Sequence, residues 1–161
     1  MDGSVGDRSK LYCLIRKDWV AALPEEQVRQ HLLQYMIEKL SYPATLIAVE
    51  QPLRQLPHLS VSDLSRIPDR RADVLCFAKT GDDVLQPLLL IECKAVKLTS
   101  GVINQVLGYN HYVGARFIAL VNQEEVRTGW YDPAKKGYSF IDFLPTYPSL
   151  LSSFQSSSTN K

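Results

Sequence analysis

Apolar residues fall in short runs along this chain, and the spacing inside each run predicts its element. Residues 88–91 read Leu-Leu-Leu-Ile and lead directly into Glu92-Cys93-Lys94. A short continuous apolar run predicts a buried strand, and the charges at its end predict that this end opens into a cleft where Glu92 finds a partner. Residues 71–77 form a second strand-like run, rich in β-formers, with Asp73 near its start. Between the two runs, Lys79-Thr80-Gly81-Asp82-Asp83 has turn composition, so the pair predicts an antiparallel hairpin. Val28, Leu32, Tyr35, Met36 and Leu40 recur at helical spacing, with Pro24, Glu25 and Glu26 suited to the first turn of that helix.

The remaining pattern fills in a sheet. Residues 45–50 predict the first strand, and the stretch from Pro52 to Pro68 a long loop with a helical turn at 61–65. Thr99 or Ser100 caps a second helix carrying Val102, Ile103, Val106, Leu107 and Tyr109-Asn110. A strand over 116–121 follows through this crossover and is expected to run parallel to 88–94. Residues 138–143 predict an edge strand. Together these elements predict an α/β domain, a central mixed β-sheet flanked by α-helices, over residues 1–154. Residues 1–10 are expected to be frayed, and the Ser-rich tail 155–161 to be disordered.

Composition narrows the class. The 161 residues are 45% hydrophobic, enough for one domain with a sizeable core. No run is long enough to span a membrane and the polar start does not resemble a signal peptide, so a cytoplasmic protein is expected. Cys13, Cys76 and Cys93 show no metal spacing, His31, His58 and His111 are scattered, and a zinc site has little support. The net charge is +1, so contact with nucleic acid has to come from local patches. Arg66, Arg70 and Arg71 before Asp73, and Lys97 after Lys94, form such patches and are candidates for holding phosphates; singly, each is more simply a solvated loop residue.

The candidate chemistry follows from the hairpin. The start of its first strand lies beside the end of its second, which sets Asp73 next to Glu92 and Lys94. Strand alternation projects Glu92 and Lys94 to one side and Cys93 to the other. Two carboxylates suit magnesium, or manganese in its place, since such cations take oxygen ligands and keep waters for a phosphate and a nucleophile. Lys94 suits the orientation of that water or the stabilisation of developing negative charge. A bare E-x-K is common, and a hairpin end with solvated charges is the plain alternative.

The arrangement of Asp73, Glu92 and Lys94 resembles the PD-(D/E)xK nuclease superfamily. Pro68-Asp69 matches the motif literally but precedes the strand, so Asp73 is the better reading. Gln105 and Tyr109 form a Q-x-x-x-Y motif one helical turn apart, similar to the element that follows the E-x-K strand in helicase-linked nucleases. The order Arg16-Lys17-Asp18-Trp19, Pro24 to Gln30, Arg71-Ala72-Asp73, Glu92-Cys93-Lys94, Gln105 with Tyr109-Asn110, then a strand ending at Asn122 resembles the N-terminal nuclease domain of type I restriction enzyme R subunits, over residues 15–122. The resemblance implies a magnesium-dependent DNA endonuclease. Asp73, Glu92 and the Cys93 carbonyl would hold the metal, Glu26 of the first helix would lie near it, and Gln105 and Tyr109 would orient the site or contact DNA. It also implies a separate motor or specificity subunit as partner. With no phosphate-cradling G-x-x-x-x-G-K-[ST] loop present, the chain reads as a stand-alone version. The competing reading is a catalytically silent nuclease fold that binds nucleic acid or a partner protein.

Overall fold

Short strands open the described chain. β1 (Lys10–Cys13) and β2 (Asp18–Ala21) pair antiparallel, with Tyr12 opposite Trp19. Neither strand was apparent from the sequence, because four residues that are mostly half-buried or exposed carry too little alternation to register as a period of two. Helix α1 (Pro24–Lys39) follows, with Pro24 where its missing N–H costs nothing and Glu25 and Glu26 at the positive end. The computed structural model describes residues 9–56, 59 and 65–158, so most of the helical turn expected at 61–65 lies outside them.

Strands β3 (Ile47–Pro52), β4 (Arg71–Lys79), β5 (Leu85–Cys93), β6 (Phe117–Val121), β7 (Val126–Asp132) and β8 (Gly137–Ile141) form one six-stranded sheet in sequence order. Only β5 and β6 are parallel, joined across the sheet by helix α2 (Ser100–Val113) as the crossover reading expects. Thr99 caps α2 by accepting from the Val102 N–H at 3.3 Å, and Gly114 ends it with φ +70°, the left-handed conformation that suits glycine. β8 is the predicted edge strand, at nearly the same residues. β7 was not anticipated, since Thr128-Gly129-Trp130 acquires strand character only by pairing with β6 and β8.

Helix α3 (Tyr147–Ser158) takes in the first residues of the segment expected to be disordered. Thr146 caps it, accepting from the Ser149 N–H at 3.3 Å, while Tyr147, Leu150, Leu151 and Phe154 pack on the core and anchor an otherwise polar helix.

The sheet divides the interior. Leu32, Leu33 and Met36 of α1 and Leu150 of α3 meet Val74, Cys76, Leu89, Ile91 and Ala119 on one face. Val106 and Val113 of α2 meet Leu75, Leu90, Ile118 and Leu120 on the other. Both faces of β5 are therefore covered, which is why residues 88–91 show no alternation. No helix among the described residues is long and apolar enough to cross a membrane.

Candidate active site

The register of the central hairpin builds the site. Val74 stands opposite Ile91, so Asp73 lies beside Glu92 where the paired strands end. The Cys93 N–H donates to Asp73 Oδ2 at 2.8 Å, and Lys94 Nζ lies 3.1 Å from Glu92 Oε1. The Lys94 N–H in turn donates to the Val121 carbonyl of β6 at 2.8 Å, fixing the chain as it leaves β5. Asp73, Glu92 and Lys94 are thus brought together by backbone pairing alone.

Electrostatics make this a strained trio. Burial pushes the Glu92 carboxyl up to about 7, the negative charge of Asp73 adds to the rise, and Lys94 offsets part of it. Asp73 is also raised, by burial first, against the opposing Cys93 N–H and the charge of Arg29. Burial alone would lower Lys94, but the charge and hydrogen bond of Glu92, joined by the charges of Glu25 and Asp73, together outweigh it and hold the ammonium protonated. Two half-buried acids are left with less positive charge than they need. The Cys93 thiol is buried in the core and raised well above its usual value, by burial and then by Asp73, so only its backbone is available to the site.

Glu26 and Arg29 stand one helical turn apart on the buried stripe of α1 that continues through Leu33 and Met36. Glu26 is engaged by Arg16, Arg29 and Gln30, the last at 2.8 Å. Burial would raise its carboxyl, but the hydrogen bonds from Arg29 and Gln30 and the charges of both arginines bring it below its usual value. It serves the arginines. Its neighbour Glu25 is the first-helix acid whose charge acts on Asp73, Glu92 and Lys94.

Two further residues join the site that sequence reasoning did not single out. Arg29 Nη1 lies 2.7 Å from Glu50 Oε1 and 3.6 Å from Asp73 Oδ1. Val49 pairs with Val74 and Gln51 with Ala72, which sets Glu50 against Asp73 across the β3–β4 ladder. The signal for Arg29 was its spacing from Glu26 within the buried stripe. Glu50, read only as a strand residue, carried none.

The second helix supplies a different surface. Arg70 donates to Tyr109 Oη and lies over the ring, 5.1 Å from its centroid. Gln105 is exposed and makes no hydrogen bond to Asp73, Glu92 or Lys94 among the described residues. Arg66, Arg70, Arg71 and Lys97 are all exposed, Arg71 with Nη1 3.7 Å from Glu50 Oε2. Lys97 lines a cavity of about 560 Å³ next to Lys94, walled by Val96 and by Asn122, whose Nδ2 donates to the Val96 carbonyl at 3.1 Å.

Among the described residues no three His, Cys, Asp or Glu side chains stand together as a full metal cage. A cation here would draw on two carboxylates, backbone and water, a donor set that fits magnesium. The family described as type I restriction enzyme R protein N terminus matches residues 24–145. The chain belongs to that family. The match runs from the first residue of α1 to just before α3, so the whole six-stranded sheet and the Asp73–Glu92–Lys94 trio fall inside it, while the β1–β2 hairpin does not. The mixed sheet flanked by three helices agrees with a restriction-endonuclease-like domain. No curated protein and no solved structure matches the chain.

Proposed function

We propose that this R protein N-terminal domain is a magnesium-dependent DNA endonuclease that hydrolyses phosphodiester bonds. The observation that carries the reading is the pair of raised, half-buried carboxylates, Asp73 and Glu92, held beside the protonated Lys94 at the end of the central hairpin. Asp73, Glu92 and the Cys93 carbonyl would hold magnesium, which when bound polarises a phosphate oxygen and acidifies water. The Cys93 N–H keeps Asp73 from rotating away. Lys94 Nζ donates to the attacking water or to the charge that develops on the phosphate. Arg66, Arg71 and Lys97 hold neighbouring phosphates, and Arg70 with Tyr109 forms a flat cationic surface beside them. A motor or specificity subunit, implied by the family description, is the expected partner.

The deciding experiment is incubation of plasmid and single-stranded DNA with magnesium, manganese or chelator, beside calorimetric cation titration of the parent and Asp73→Ala. Cation-dependent cleavage and a binding isotherm lost in the variant are expected. A parent that binds no cation and cuts neither DNA would leave the silent binding module.

A further inference from the structure

Arg29 is the most enclosed cation at the site, its side chain 8% exposed between α1 and the sheet. It reaches carboxylates on three elements: Glu26 on its own helix, Glu50 on β3 and Asp73 on β4. Its Nε is buried with no hydrogen-bond partner among the described residues, so the guanidinium is held by its Nη atoms alone. Glu50 meets it from a backbone at φ +55°, the left-handed region, in the interior of a strand, where a non-glycine residue is held at a cost. An unmet donor and a strained strand therefore coincide directly opposite Asp73.

We propose that Arg29 is a positioning residue for Asp73 and a built-in cation that sets how tightly the Asp73–Glu92 pair binds a divalent ion. This rests on the reading of that pair as a cation site. The Cys93 N–H holds Asp73 Oδ2 and the Arg29 guanidinium faces Oδ1 at 3.6 Å, so the carboxylate is hydrogen-bonded on one side and steered by charge on the other. The same positive charge repels an incoming divalent ion, and Glu26 and Glu50 moderate that repulsion by sharing the guanidinium. Removing Arg29 should accordingly tighten cation binding while loosening the carboxylate, so that affinity and turnover move in opposite directions.

The test is manganese titration, followed by electron paramagnetic resonance of free Mn²⁺, of parent, Arg29→Met, Arg29→Lys and Glu50→Gln, with thermal melts and cleavage at saturating metal. Arg29→Met is expected to bind Mn²⁺ about tenfold tighter, since one unit charge is removed within a few ångströms of the site, and to cleave more slowly when saturated. Arg29→Lys should return to the parent's affinity, because it keeps the charge. Glu50→Gln should bind more weakly, because it leaves Arg29 less neutralised; this variant carries the test if Arg29→Met does not fold. Unchanged or weaker Mn²⁺ binding in a folded Arg29→Met, or unchanged binding in Glu50→Gln, overturns the proposal while leaving the cation site standing. A parent that binds no Mn²⁺ overturns both.

Discussion

Lys94 separates a working site from a solvated hairpin end. It sits 3.1 Å from Glu92 and is only partly exposed, so its charge is focused on the two acids and on anything bound between them. Lys94→Ala is expected to lower turnover by about 10²-fold, the scale for deleting one preorganised electrostatic donor. DNA affinity should change far less, because Arg66, Arg71 and Lys97 remain. A destabilised variant of a parent without activity would instead make Lys94 a mere counter-charge. The same trio predicts a pH dependence. Glu92 has a folded value near 7 against an unfolded value of 4.5, so its contribution is complete below about 4.5 and is lost as pH rises to about 7; Asp73 shifts in the same direction. Without divalent cations, stability from this pair should fall between about pH 4.5 and 7 by an amount on the order of 1–3 kcal/mol. Magnesium should reduce or abolish that fall, since it favours the charged pair, and thermal melts across pH with magnesium or chelator will show whether it does.

At the level of elements, α1 both closes the core and delivers charge. Leu33 is fully buried and lies one turn after Arg29, so Leu33→Ala is expected to cost about 2–5 kcal/mol by denaturant titration, with turnover at saturating metal lowered because the helix carries the guanidinium that steers Asp73. A full-strength site in a strongly destabilised protein would show that α1 is dispensable to it. Helix α2 behaves differently. Gln105 is exposed, so Gln105→Ala should leave the melting temperature unchanged and reduce cleavage. A large drop in melting temperature would make that face structural. The hydrophobic pattern foretold α1, α2 and the β4–β5 hairpin because each is long or continuously apolar. It missed β1, β2 and β7, whose residues become strands only when a neighbour supplies hydrogen bonds.

For the molecule as a whole, a net charge of +1 leaves nucleic-acid affinity to a few exposed cations around the hairpin end. Lys97→Ala is expected to reduce the slope of log affinity against log salt by about one, the yield of one phosphate contact, and an unchanged slope would place Lys97 off the DNA path. What the sequence determined by itself is local: the apolar run into Glu92-Cys93-Lys94, the turn that brings Asp73 back beside it, and the crossover that makes β6 parallel to β5. Each follows from period, turn chemistry or handedness over a short span of chain. Tertiary structure alone decided that Glu26 is engaged by Arg16 and Arg29 while the charge of Glu25 acts on the acids, because neighbouring helix positions differ by a rotation that only packing fixes. It also decided that Glu50 meets Asp73 and that Arg29 reaches both. Those contacts join residues far apart in sequence, through a β3–β4 register and a helix docking angle that no local pattern encodes.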